Sequence, residues 1–359
     1  VEQEQTFTFE DVPEAPVLSL GRGFSAPIRI EIERAPDELA FLLSHDTDPF
    51  SRWEAGQDLA KRILVRVVDD VREGRRLEVE PLAVEAFRKV LLDESLDGSI
   101  KALTLSLPSE ELVSQELESV DPDAVHEARR AFESRLGVEL AAEWNDTYER
   151  HASGSESVSK AEVDRRRIKN RALRYLVATG RQAAIDLAAT QFRGARWMTD
   201  YEAAFACLID IDAPETDEAI DSFFSRWRDE PLVLDKWFRM QAMSYAPSAF
   251  ERVVALSKHP SFTLSNPNRA RSLLHAFAAG NPIGFHRADG EGYRFVADHV
   301  LELDSINPQV ASRIVSCFNQ WKRYEPGRQS LMLDQLRRIA DTSTISKDVR
   351  EIVERSLEG

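Results

Sequence analysis

The chain has 359 residues, 43% of them hydrophobic, enough to bury a sizeable core and long for one compact domain. Its formal charge of −16 argues against nucleic acid or an anionic membrane as partner, because binding phosphate needs a basic surface. No apolar run approaches a membrane span, and the two cysteines, Cys207 and Cys317, lie far apart without metal-like spacing, which fits a reducing compartment and no disulfide framework.

Val1 opens the chain without Met or a signal-like segment, so no address can be read, and such a start is expected of a trimmed chain. Residues 1–34 differ from the rest. Thr6-Phe7-Thr8-Phe9 alternates, Pro16-Val17-Leu18-Ser19-Leu20 is short and turn-bounded, and Ile28-Arg29-Ile30-Glu31-Ile32-Glu33 puts three isoleucines on one face. These predict three short strands, either a small cap on the body or the end of a β-sandwich domain whose other strands lie upstream.

From residue 35 to 359 the helical period takes over. Ala60, Ile63, Leu64, Val67 and Val68 follow the i, i+3, i+4, i+7, i+8 stripe of an amphipathic helix. Ser109-Glu110-Glu111 and Asp121-Pro122 read as helix starts, and residues 151–159 as a flexible surface loop. Cys207 and Cys317 are expected to be small buried hydrophobes. Asp235-Lys236-Trp237-Phe238, like Phe50-Ser51-Arg52-Trp53 before it, reads as aromatic core anchors at a helix start. Asn266-Pro267 and Asn307-Pro308 are N-cap and first-turn pairs, each followed by arginine where the macrodipole does not favour a cation. Asp289-Gly290-Glu291-Gly292 lacks the spaced carboxylates of a calcium loop and reads as a turn. Val349, Ile352, Val353 and Ser356 form a last stripe, capped by Ser346 and stopped by Gly359. Roughly fifteen or more helices of ~8–20 residues joined by short turns predict an all-α antiparallel superhelix or bowl. No fixed period supports a true repeat protein of the tetratricopeptide, ankyrin or leucine-rich kind.

The two Asn-Pro starts, with Ala279-Gly280-Asn281-Pro282-Ile283-Gly284-Phe285-His286, Ser261-Phe262-Thr263 and Lys322-Arg323-Tyr324, resemble the C-terminal helical domain of the bacterial aminopeptidase N family, gluzincin zinc metallopeptidases. The likeness covers essentially the whole chain, most specifically residues 233–328 and least distinctively 154–216. It implies that 1–34 ends a β-sandwich and that 35–359 is the helical domain. The implied partners are the N-terminal and catalytic domains of the same enzyme and its peptide substrates. Zinc belongs to the parent enzyme.

That family's chemistry needs H-E-x-x-H on a helix. The nearest text is His126-Glu127-Ala128-Arg129-Arg130, with arginine in place of the second ligand. The exopeptidase motif Gly-x-Met-Glu-Asn is missing too, and no serine elbow or phosphate loop appears. The expectation is no catalytic residue, no metal ligand and no cofactor in this chain. Gln309 and Arg313 share a helix face by their i, i+4 spacing, and Arg271 sits near the start of the earlier helix. Two readings stand for these arginines: ion pairs with neighbouring carboxylates, or, as the resemblance implies, guanidinium groups facing an enclosed peptide path. The first functional expectation is a non-catalytic domain that covers the active site and controls substrate access. The alternative is a free-standing α-solenoid scaffold for protein or peptide binding, which has little reason to begin with three unpaired strands.

Overall fold

The computed structural model describes residues 4–24, 28, 30–155 and 157–358. Helix starts follow the sequence closely. Proline opens Pro36–His45, Pro49–Arg72, Pro81–Leu92, Pro122–Glu139, Pro214–Trp227, Pro231–Ala242, Pro308–Val315 and Pro326–Ala340, where its missing N–H removes a donor that would be orphaned. Side-chain caps satisfy others. Asp48 accepts from the Ser51 amide at 2.9 Å, Asp121 from Asp123 at 3.1 Å and Asn307 from Val310 at 3.2 Å. Ser346 accepts from Val349 at 3.3 Å and so caps Lys347–Glu358 as expected; Gly359 lies outside the described residues.

The stripes expected to face inward do so. Ala60, Ile63, Leu64, Val67 and Val68 are buried, as are Val349 and Val353. Trp237 and Phe238 are core anchors, whereas Phe50 and Trp53 are only half-buried. Residues 151–159 form a loop between Ala141–Arg150 and Lys160–Val177, with Glu156 outside the described residues.

Two expectations need correction. Among the described residues of 1–34 there is no strand: Phe7, Phe9 and Ile28 are exposed, Ile30 and Ile32 half-buried, and Arg29 is outside the described set. Alternation defines a face, but a strand exists only when a second segment forms a ladder with its N–H and C=O groups, and no such ladder forms among the described residues. What fastens this segment instead is Arg22, whose Nη1 lies 2.6 Å from Asp46 Oδ1. The helix after Asn266 is also not one regular helix. Pro267–Ala270 passes into a π-helical turn at Arg271–His275 before Ala276–Gly280 resumes the α form.

Chain neighbours pack on one another: Pro36–His45 on Pro49–Arg72, Ala141–Arg150 on Lys160–Val177, Gln182–Gly194 on Met198–Ile209, Glu291–Asp304 on Pro308–Val315. One close crossing depends on glycine. A Cβ at Gly137 would stand 2.4 Å from the Tyr175 carbonyl oxygen, so the two helices could not approach this closely with any other residue. Beside it Trp144 and Tyr175 stack at 4.4 Å, and the Tyr175 hydroxyl donates to the Leu105 carbonyl at 2.7 Å. Glu133, also buried here, takes Nε of Arg174 at 3.1 Å, and Arg174 gives Nη1 to Asp210 at 2.5 Å.

The array then closes on itself. Val120 donates to the Arg323 carbonyl at 2.8 Å and accepts from the Glu325 amide at 3.0 Å, a parallel bridge that is isolated from any sheet. Arg323 Nη2 donates to the Ser114 carbonyl at 2.9 Å and the Leu117 carbonyl at 3.2 Å. Arg328, buried, gives Nε to the His286 carbonyl at 2.6 Å, Nη1 to Glu325 at 3.0 Å and Nη2 to Asp123 at 2.5 Å. Pro282–Phe285 packs on Pro122–Glu139 in the same place.

Two predictions follow from these charges. Arg328→Met should cost about 2 kcal/mol, less than a fully buried pair, because Asp123 and Glu325 both reach solvent once released. A thermal melt should show the midpoint several degrees lower, and an unchanged midpoint would refute the clamp. For Glu133, burial opposes ionisation, but the fields of Arg174, Arg129 and Arg130 outweigh it and hold the carboxyl at about 2 against an ordinary 4.5. A depressed folded-state pKa contributes stability that is complete above the unfolded value and is lost as pH falls through the folded one. Glu133→Gln should therefore destabilise neutral solutions by on the order of 3 kcal/mol, and the gap to wild type should shrink steadily below pH 4.5. A gap that stays constant into strong acid would show that the ion pairing is not its source.

Candidate functional site

Closure leaves a partly open cavity of about 380 Å³ between residues 109–125, 243–245, 278–286 and 316–324. Its polar lining comes from both halves of the chain. Glu110, at the start of Glu110–Gln115, is buried and holds Nδ1 of His126 at 2.8 Å through Oε1, while its Oε2 has no hydrogen-bond partner. Tyr245 lies over the His126 ring at 5.2 Å, and burial together with the Glu110 charge pushes its phenol up to about 12. His286 gives or takes a hydrogen bond with the Tyr293 hydroxyl at 2.8 Å and stacks on Tyr324 at 4.2 Å. Burial, then the nearby Arg328 charge, pushes its imidazole down to about 3, so it is neutral throughout the physiological range.

A second, more open concavity of about 590 Å³ shares Met243, Ala279 and Gly280 with the first. Arg271 lines it, together with Lys236, Arg239 and His275. The π-helical turn begins at Arg271, and its side chain reaches back to its own helix: Nε to the Pro267 carbonyl at 3.2 Å and Nη2 to Asn268 Oδ1 at 2.6 Å. Arg271 has no carboxylate partner among the described residues. The structural arginine of this helix is instead Arg269, buried, with Nε 2.5 Å from Asp235 and a further bond to the Ser261 carbonyl.

Gln309 and Arg313 occupy Pro308–Val315, a helix that packs against the π-helical turn. Both are exposed, and among the described residues the Arg313 side chain has no hydrogen bond or ion pair. They do not line either concavity, so the structure puts Arg271 in a pocket and the other two on a neighbouring surface. Sequence reasoning missed Glu110, Tyr245 and Met243. Ser109-Glu110-Glu111 had been legible only as a helix start, and nothing local marks which start will be enclosed.

Among the described residues no three His, Cys, Asp or Glu side chains are grouped to hold a metal. His126 is spent on Glu110, and Arg130, where a second imidazole would be needed, turns Nη1 toward Glu133 Oε2 at 3.4 Å. Asp289 and Gly290 form a turn that leads straight into the helix Glu291–Asp304: Asp289 accepts from the Glu291 amide at 3.0 Å and Gly290 has φ of 75°. No helix of the described residues is long and apolar enough to cross a membrane.

A family model described as a domain of unknown function, DUF3458_C, with ARM repeats matches residues 36–358. ARM repeats are none of the tetratricopeptide, ankyrin or leucine-rich kinds whose fixed period the sequence lacks. The chain is 38% identical over 359 residues to a protein named aminopeptidase N from Caulobacter vibrioides, and 37% identical over 354 residues to one of the same name from Escherichia coli. Each match covers 99% of this chain but 41% of the relative, so the chain spans about two fifths of the length of these proteins. Among solved structures, it is similar to the Legionella pneumophila aminopeptidase A crystallised with aspartic acid, at a TM-score of 0.87 and 31% identity, over 98% of this chain and 42% of that one.

The cavity also sets the reactivity of its thiol. Cys317 is half-buried in its wall and Cys207 is fully buried; burial pushes both up to about 12. Iodoacetamide at mildly alkaline pH should label neither in the folded chain and both after unfolding, as read by mass spectrometry. Rapid labelling of native Cys317 would mean that the cavity opens freely to solvent.

Proposed function

The chain belongs to the DUF3458_C family of ARM repeats, and from that premise we propose that it serves as the non-catalytic helical domain of a cytoplasmic zinc aminopeptidase that removes N-terminal residues from peptides. The observation that carries this is the match of nearly the whole chain to two fifths of aminopeptidase N, with no metal-binding group among the described residues. Its partners are then the N-terminal and catalytic domains of the same polypeptide, which supply the zinc. Residues 1–34 belong on this reading with a β-sandwich domain and 35–359 form the helical one. The exposed Phe7, Phe9, Leu18 and Phe24 support it, because such side chains suit a surface that another part of the enzyme covers.

Within that enzyme the domain covers the active site, controls substrate access and lines the peptide path, and Arg271, Gln309 and Arg313 are its substrate-path residues. Support comes from the lack, among the described residues, of a carboxylate partner for Arg271 or Arg313 in an acidic protein, where Arg269, two positions from Arg271, is firmly paired. A guanidinium without a carboxylate is free to take one from a peptide, bidentately.

In the full-length enzyme, Arg271→Ala and Arg313→Ala should each raise KM for tripeptides about tenfold or more and affect alanyl-p-nitroanilide much less, because that substrate has no carboxylate. Thermal midpoints should stay near wild type. An unchanged peptide KM would remove these residues from the path. The 359-residue chain alone, given zinc, should not hydrolyse alanyl-p-nitroanilide; a gene with no H-E-x-x-H upstream would favour the scaffold reading instead.

A further inference from the structure

Away from both concavities, a groove of about 590 Å³ runs between Gly98–Thr104, Lys160–Val177 and Met198–Ile209. Its floor is apolar, with Ile100, Leu103 and Ala203 among its lining residues, and Leu103 is 52% exposed. Every charged side chain that lines it is an arginine: Arg167, Arg171 and Arg174. In a chain of net charge −16 that is a local reversal of sign.

The carboxylates that could neutralise it are already engaged. Glu133 and Asp210 are both bound by Arg174, and Glu133 is approached in addition by Arg129 at 3.9 Å and Arg130 at 3.4 Å. Asp164 accepts from Ser99 and lies 2.6 Å from Lys160 Nζ. Arg171 meets only neutral groups, the Ala102 carbonyl through Nε at 3.1 Å and the Ser106 hydroxyl through Nη2 at 2.5 Å. Burial pushes its guanidinium pKa down, the sign of a cation whose environment does not repay its lost hydration. Arg167 is exposed and has no hydrogen bond or ion pair among the described residues.

We propose that this groove binds a carboxylate flanked by an apolar group, as on an acidic peptide segment, with Arg167 and the free edge of Arg171 holding the anion and the Ile100–Leu103 floor holding its neighbour. Guanidinium forks match a carboxylate in a planar, two-bond geometry, and the partly dry floor strengthens that pairing over its value in water. Arg174, saturated by two carboxylates, positions the floor and donates nothing to the ligand. The site rests on the groove alone and does not depend on the aminopeptidase reading.

The test is calorimetric titration of the 359-residue chain with N-acetyl-Phe-Asp-amide, its neutral isostere N-acetyl-Phe-Asn-amide, and inorganic phosphate. The aspartyl peptide should bind saturably, more weakly as salt rises, and the asparaginyl one about tenfold or more weakly. Arg167→Gln, at an exposed position that holds nothing else in place, should lose the same factor with an unchanged thermal melt. Arg171→Lys keeps the charge but not the fork, and should weaken the peptide while leaving phosphate comparatively unaffected. Equal binding of the two peptides, wild-type affinity in Arg167→Gln, no saturation, or phosphate binding as tightly as the aspartyl peptide would each overturn the proposal.

Discussion

Residues 114–123 and 323–328 hold each other through main-chain groups and two guanidiniums, and this contact closes a stack of helices around a partly open cavity. Val120 uses both its N–H and its C=O on the distant strand-like segment, so the register of the meeting is set to a single residue. Arg323 then spends donors on the carbonyls of Ser114, Gln115 and Leu117, and Arg328 ties the His286 carbonyl to Glu325 and Asp123. Without this meeting the walls of the cavity would belong to two ends of an open array. The neutral state of His286 and the buried position of Glu110 depend on it as well.

Arginine does several jobs here that its abundance in the sequence does not separate. Arg328 and Arg269 are buried and bridge carboxylates to carbonyls. Arg323 serves carbonyls alone. Arg271 folds back onto Pro267 and Asn268, and Arg313 stands unpaired among the described residues. Five donors in a fixed fork suit helix-end carbonyls as well as carboxylates, so an acidic protein does not automatically convert each arginine into an ion pair. The difference matters for function, because only the arginines left over from the fold can meet a ligand.

The family description of ARM repeats and the absence of a readable period are compatible. Stacking a helix on its neighbour requires an apolar stripe of the right width, which Ala, Val, Leu, Ile and Phe can all supply in any order. Helices here range from Pro267–Ala270 at four residues to Pro49–Arg72 at 24, so no constant spacing survives in the text. Repetition is therefore in the geometry of packing and not in residue identity.

Helix starts, caps and inward stripes were legible in the sequence, since each is a short-range matter of a proline, a side-chain acceptor or a 3.6-residue period. Asn307, Asp121 and Ser346 cap where their letters say they should, and the stripe from Ala60 to Val68 is buried. The likeness to aminopeptidase N was equally plain, because it rests on contiguous text such as residues 279–286. Alternation at 6–9 and 28–33 is not matched by a strand among the described residues, because a strand is a property of two segments and only one was in view. The enclosure of Glu110, the π-helical turn at Arg271, the pairing of Arg269 with Asp235 and the closure of Val120 on Tyr324 were decided by tertiary structure alone. Each joins groups that are distant in sequence or depends on a neighbour's carbonyl, and no local period or cap encodes which distant partner will arrive.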